Sequence, residues 1–210
     1  MGNINFDCAV FAAGDMVDTK IIHKYCKNSV FCIAADAGYK ACVTTEIKPD
    51  LLVGDYDSSK MPETDIQTIQ LNPVKDETDT AYALEQAIKR GYKNIVLFGA
   101  TGGRLDHEFA NIELCASLKN RGISLTIIDN HHKIFTVKDE SVTLQEKNKY
   151  ISIFPIGGPC TLTLQDLDYP LQKETLPPFC GLGVSNEMHK DSATILAEEG
   201  MALVIIADKD

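Results

Sequence analysis

Basic residues are in deficit in this sequence: 20 Lys and Arg stand against 30 Asp and Glu, a formal charge of -10 over 210 residues. Such a balance leaves no positive footprint for duplex nucleic acid or an anionic membrane, so an anionic ligand has to be met locally, through a metal or a few placed cations. Long apolar runs are lacking too, none approaching the roughly 20 residues that span a bilayer. The first residues do not carry the basic stretch and apolar segment of a secretory leader, and a cytoplasmic location is expected. Cysteines are present but never spaced as CxxC: Cys8, Cys26, Cys32, Cys42, Cys115, Cys160 and Cys180 make an odd set. Several sit in apolar runs, where a thiol packs as a small hydrophobe, and all are read as reduced. Internal repeats and low-complexity tracts are missing. What remains is ordinary globular composition, 44% hydrophobic and 24% charged, which excludes disorder as the main state and suffices for one large core or two smaller ones.

From the start to about residue 130, short apolar runs alternate with amphipathic stretches, the pattern of βα units around a parallel sheet buried on both faces. Strands are predicted at Cys8–Ala13, Val30–Ala35, Leu51–Val53, Ile66–Leu71, Ile95–Gly99 and Ser124–Ile128. Thr80–Arg90 places Ala81, Leu84, Ala87 and Ile88 on one helical face, and Asp106–Asn120 does the same with Phe109, Ile112, Cys115 and Leu118. Beyond Asp129 the helical period gives out. Phe135–Val137, Val142–Leu144, Tyr150–Phe154, Thr161–Leu164, Ala193–Leu196 and Ala202–Ile206 read as short strands, punctuated by Pro155, Gly157, Gly158, Pro159, Pro177 and Pro178. Strands so spaced suggest an antiparallel sandwich or barrel. The expected fold class is α/β: an N-terminal open, mainly parallel sheet with flanking helices, followed by a small all-β sandwich domain. The boundary is placed near Asn130–Lys133, giving domains 1–130 and 131–210. A β domain of about 80 residues is small for an independent core and is expected to gain from a partner surface.

Four polar clusters fall at the ends of predicted strands, where open parallel sheets bind ligands. Ala35-Asp36-Ala37-Gly38 follows the second strand, with Gly38 to relax the turn and Asp36 to point into the crevice or to cap a helix. Gly54-Asp55-Tyr56-Asp57-Ser58-Ser59 follows the third; carboxylates at i and i+2 can converge on a hard divalent cation, although a DxDS tetrapeptide also fits an ordinary turn. Lys75-Asp76-Glu77-Thr78-Asp79 leads into the Thr80–Arg90 helix, where Thr78 or Asp79 caps the helix while Asp76, Asp79 and Lys75 offer metal ligands and a phosphate-facing cation. Gly99-Ala100-Thr101-Gly102-Gly103-Arg104-Leu105-Asp106-His107 carries the strongest signal: glycines let backbone approach a polyphosphate, a helix N-terminus supplies free N–H groups, and Arg104 can fork onto phosphate oxygens. His107 in the first helical turn reads more simply as a capping or packing residue than as an acid or base.

Taken in order, AADAG, GDYDSS, KDETDTAYAL and GATGGRLDH resemble the motif series of the thiamine pyrophosphokinase family, also called thiamine diphosphokinase, and Gly183-Val184-Ser185-Asn186-Glu187 resembles its substrate-side segment. The resemblance runs from Asp36 to Glu187. It implies a nucleotide-binding α/β domain followed by a β-sandwich, transfer of a pyrophosphoryl group from ATP as co-substrate to thiamine with release of AMP, a requirement for Mg²⁺, and a homodimer with shared active sites. By the same resemblance Asp55, Asp57 and Asp79 hold Mg²⁺. Asp36, Lys75, Asp76, Thr101, Gly102, Arg104 and Asp106 surround the nucleotide and its phosphates, and Ser185 and Asn186 face thiamine. Animal members of the family stack thiamine on a tryptophan, and this sequence has none. Tyr169, in Asp166-Leu167-Asp168-Tyr169-Pro170-Leu171, is the natural replacement; its alternative is to pack in the sandwich with its hydroxyl at the surface.

Attack at the β-phosphorus of ATP asks for charge neutralisation and in-line positioning more than for a covalent nucleophile, and a carboxylate cage with Arg104 suits that demand. Asp79 and Asp106 are the candidates to accept the hydroxyl proton. Thiamine is a cation, so net acidity is compatible with it. Two other readings are open: a DxD-type Mg-dependent phosphohydrolase or sugar-nucleotide transferase, in which Asp55 is nucleophile or metal ligand, and a non-catalytic nucleotide or thiamine-binding protein.

Overall fold

Four successive buried residues, Cys8–Phe11, form β1, and the same continuous burial recurs in β2 (Phe31–Ala35), β3 (Leu51–Gly54), β5 (Asn94–Phe98) and β6 (Ser124–Ile128). Uninterrupted apolar runs of this kind belong to strands covered on both faces. A computed structural model describes residues 5–26, 30–56, 64–72, 74, 76–178 and 180–209. With β4 (Gln67–Gln70), these strands line up in the order β6-β5-β1-β2-β3-β4, each neighbouring pair parallel. The polar, partly exposed β4 takes the edge, where one face and one ladder are left to solvent. Strand order reverses between β1 and β5, where Phe11 lies in register with Ala34 on one side and Phe98 on the other. Crevices for ligands open at such a switch.

Helices α1 (Thr19–Tyr25), α2 (Tyr39–Thr44), α3 (Asp79–Lys89) and α4 (Leu105–Asn120) connect the strands. The first two were not expected; each is under two turns, too short for a period to show, and α1 is begun by Asp18, whose carboxylate accepts from the Lys20 amide at 2.7 Å. In α3 Thr78 caps, accepting from the Ala81 amide at 3.1 Å, and Leu84 and Ala87 are buried as their spacing predicts. In α4 the inward stripe differs from expectation: Asn111, Cys115 and Leu118 are buried, whereas Phe109 is 61% exposed. Asn111 faces in because its side-chain amide donates to the Ala100 carbonyl at 2.9 Å. Among the described residues no helix is long and apolar enough to cross a membrane.

By their contacts, Asn5–Leu114 and Gly122–Asn130 form one compact unit, and Cys115–Arg121 with His131–Asp210 a second. The second holds β7 (His132–Leu144), β8 (Lys149–Pro155), β9 (Cys160–Gln165), β10 (Leu171–Leu176) and β11 (Ala193–Asp208). All its pairings are antiparallel; β11 pairs with β7, with β9 through its first half and with β8 through its second. Residues of period two, such as Ile151 and Ile153, Leu162 and Leu164, Ala193 and Ile195, Val204 and Ile206, meet in one core. Phe135–Val137 and Val142–Leu144 are one strand rather than two, as are Ala193–Leu196 and Ala202–Ile206. The charged residues that read as turns are instead a bulge, where the β11–β7 register shifts between Ala197 and Met201 and both Asp139 and Glu199 take a φ of 49°. β10 escaped prediction because its middle, Gln172-Lys173-Glu174, is exposed on an edge strand.

Candidate active site

The β1–β5 ladder does not stop where the strands end. Ala12, Gly14 and Asp15 amides donate to the Phe98, Gly99 and Thr101 carbonyls at 2.8, 2.7 and 2.9 Å, so the two following loops are zipped backbone to backbone. A Cβ on Gly14 would fall 2.4 Å from the Gly99 oxygen, and one on Gly99, whose φ is +65°, 2.5 Å from the Ala12 oxygen. Only glycine allows that approach. Gly102 is likewise closed in, its missing Cβ replaced by the Asp15 carboxyl group. A cavity of about 260 Å³ opens beside these loops, lined by Gly14, Thr80, Gly99, Gly103, Glu108 and Asn111 together with Arg104 and His107. Thr101 donates its hydroxyl to Asp129 at 2.7 Å. Arg104 is exposed and forks onto Asp106, Nε to Oδ1 at 3.1 Å and Nη2 to Oδ2 at 2.5 Å. That hydrogen bond holds the Asp106 carboxyl below the usual carboxylate range and raises the guanidinium pKa.

The other carboxylates follow β2, β3 and the turn before α3. Asp36 sits at a φ of 46°, its Cα 3.2 Å from where a Cβ on Gly54 would stand, so glycine at the end of β3 admits it. Asp55 is half-buried just past β3, and Asp79 opens α3 with its Oδ1 shielded from solvent. Tyr56, at a φ of 54°, lies in their field: burial first, then the charges of Asp36 and Asp79, push its phenol pKa up. Asp76 is exposed, and Asp57 and Lys75 lie outside the described residues. Among the described residues no three carboxylate, imidazole or thiolate side chains form a metal cluster. Asp36 and Asp79 share Tyr56 as an electrostatic neighbour, and carboxylate oxygens are the donor type that a hard divalent cation takes.

In the antiparallel unit the structure brings Tyr169, Ser185 and Asn186 together. Asn186 is 3% exposed; its carboxamide accepts from the Tyr169 amide at 2.9 Å and from the Glu187 amide at 2.9 Å, and donates to the Tyr169 carbonyl at 2.8 Å. Its side chain therefore pins the Tyr169 backbone. Tyr169 itself is 68% exposed rather than packed in the sandwich. Ser185, exposed at a φ of 56°, donates its amide to the Ser152 hydroxyl at 3.1 Å. Sequence reasoning missed Gly14, Asp15, Asn111, Asp129 and Asn130. Gly14-Asp15 and Asp129-Asn130 both follow buried strands, the same signal that found the other clusters; Asn111 left no signal, because a polar residue in a helix reads as surface.

A family model described as the thiamin pyrophosphokinase catalytic domain matches residues 22–127, and one described as the thiamin pyrophosphokinase vitamin B1 binding domain matches residues 131–202. Thiamine pyrophosphokinase of Bacillus subtilis (strain 168) is 29% identical over 192 residues, 86% of this chain and 89% of the relative. The crystal structure of thiamin pyrophosphokinase from Geobacillus thermodenitrificans superposes with a TM-score of 0.84 at 25% identity, over 97% of this chain and 98% of its own. That of the Bacillus subtilis thiamine pyrophosphokinase gives a TM-score of 0.87 at 24% identity over 97% and 99%, a likeness of fold.

Proposed function

Because the chain belongs to the thiamin pyrophosphokinase family, we propose that it transfers the pyrophosphoryl group of ATP to the hydroxyl of thiamine, giving thiamine diphosphate and AMP. The observation that carries this reading is the cavity at the β1/β5 switch, with glycine backbone on two sides and Arg104 at its rim, in the same unit as the Asp36, Asp55 and Asp79 carboxylates. Asp55, Asp79 and, by the resemblance, Asp57 would hold Mg²⁺, which would supply charge neutralisation at the triphosphate.

The chain's own residues do the rest. Backbone amides of the Gly99–Gly103 loop and the α4 N-terminus face phosphate oxygens. Arg104 shares the charge that builds on the departing AMP, and Asp106 orients that guanidinium rather than taking the hydroxyl proton, since their ion pair makes it a weak base. Proton acceptance then falls to Asp79, through whichever of its carboxylate oxygens is not taken up by a metal. By the resemblance, Lys75 and Asp76 would serve the same phosphates, and Asp36 the nucleotide. In the second unit Tyr169, held outward by Asn186, gives a stacking face for thiamine, with Ser185 beside it. We read the working form as a homodimer that shares its sites; the exposed Leu105 and Phe109 of α4, 77% and 61% accessible, support an apolar contact between copies. Seven free thiols accord with a cytoplasmic location.

The test is incubation with ATP, Mg²⁺ and thiamine. Equimolar AMP and thiamine diphosphate are expected. Inorganic phosphate released without thiamine would favour a phosphohydrolase, and nucleotide binding without AMP a binding protein. Asp79→Asn should lose on the order of a hundredfold in turnover while keeping its circular dichroism.

A further inference from the structure

Two consecutive residues just past β6, Asp129 and Asn130, hold the two loops that supply the cavity walls, at Thr101 and at Met16 and Asp18, positions that, like Asp129 and Asn130 themselves, lie outside the lining. Asp129 Oδ2 accepts the Thr101 hydroxyl at 2.7 Å, on the wall that follows β5. Asn130 reaches the wall that follows β1: its Oδ1 accepts from the Asp18 amide at 2.7 Å and its Nδ2 donates to the Met16 carbonyl at 3.0 Å. Both start from a fixed base, since Ile127 pairs with Leu97 in the sheet and Ile128 is buried.

We propose that Asp129 and Asn130 are positioning residues that set the spacing of the two glycine-bearing walls and thereby the fit of the nucleotide, an inference that rests on reading this cavity as the ATP seat. The backbone zip between the walls ends at Asp15 and Thr101. Beyond it Thr101 and the Met16–Asp18 segment are tied by these two side chains to one short stretch of chain, so neither wall moves without the other. A carboxamide suits Asn130 because it donates and accepts at once, which neither a carboxylate nor an alkyl group does. Thr101 has one hydroxyl proton and gives it to Asp129, so toward a ligand that oxygen can only accept. Thr101 therefore serves phosphate binding through the wall it holds, and not by donating to a phosphate oxygen. A misplacement of about 1 Å in such a wall costs on the order of a hundredfold in rate.

Calorimetric binding of a non-hydrolysable ATP analogue with Mg²⁺, alongside steady-state kinetics, tests this on the full chain. Thr101→Val and Asn130→Ala should each weaken analogue binding and raise the KM for ATP on the order of tenfold, with the KM for thiamine unchanged. Asn130→Asp should be at least as impaired as Asn130→Ala. Thr101→Ser should restore wild-type affinity, and Thr101→Val combined with Asp129→Ala should be no weaker than either alone. Analogue binding by the variants as tight as wild type overturns the proposal alone, as does failure of Thr101→Ser to rescue. Equal losses in the ATP and thiamine constants, with a melting temperature lowered in parallel, show a merely structural role and overturn it too. A wild-type protein that binds no analogue overturns both this proposal and the reading beneath it.

Discussion

In the parallel unit Gly99 holds a φ of +65° between two loops joined by backbone hydrogen bonds, with no space for a Cβ. In the antiparallel unit Tyr169 stands 68% exposed on a loop whose backbone is tied to the carboxamide of a buried asparagine. The first arrangement fixes backbone against backbone at the ends of strands with no exposed face, and tolerates no added atom. The second fixes one loop through one side chain and leaves the aromatic ring exposed. Charge placement for phosphoryl transfer demands the stiffer device, since errors there act on the transition state. Recognition of a flat cation by stacking tolerates the looser one.

Substituting glycines is the sharpest way to break that contrast. Gly99→Ala combines a left-handed φ with a contact 2.5 Å from the Ala12 oxygen, whereas Gly157 has a φ of +76° and nothing within 4 Å. Gly157→Ala should cost about 1 kcal/mol in denaturant unfolding and leave turnover intact, while Gly99→Ala should cost about 3 kcal/mol or more and abolish nucleotide binding. Equal effects would show that close approach of the two loops is not what the site needs. Next in size, Asn186→Ala leaves the Tyr169 amide and carbonyl without their partner and should cost about 1–3 kcal/mol. It should raise the KM for thiamine several-fold with ATP binding unchanged; a matched loss in both constants would mean that the two devices are not separable.

The smallest effect comes from the thiols. Burial, joined by nearby Cys32 and Asp50, pushes the Cys8 thiol pKa well up, and burial followed by the charge of Asp139 raises that of Cys160. Burial pushes Cys115 up to about 12. At pH 8 these groups are protonated in the folded protein, so alkylation should proceed only through opening and leave activity unaltered until then. Comparing labelling of Cys8 with that of Cys160 by mass spectrometry ranks the opening of the two units, and faster labelling at Cys8 would contradict a stiffer parallel frame.

Most of the parallel strands were legible because they are largely apolar runs, as Leu51–Val53 and Ile95–Phe98 show, the polar edge strand β4 being the exception. Helices α1 and α2 were not, being shorter than the window in which a helical period appears. In β7 and β11 charge was mistaken for a turn: Lys138-Asp139-Glu140 and Glu198-Glu199-Gly200 kink the strands at a bulge without ending them. Phe109 misled for the opposite reason, since apolarity alone does not say which side of α4 faces in, and a hydrogen bond from Asn111 set that side. At the site, residues that sit on strand ends were legible by position. Asp129 and Asn130 sit there too, but their work is done by reaching sideways to neighbouring loops, and spacing along a chain carries no trace of that.

β11 has a temporal cost. Residues 193–208 are the shared neighbour of β7, β8 and β9. During synthesis those three strands emerge first and wait for β11 with unpaired edges, much as one edge of β1 waits for β5. The antiparallel unit is thus assembled late, through its most sequence-distant pairings, and its nascent edges are where a ribosome-bound chaperone would have most to protect.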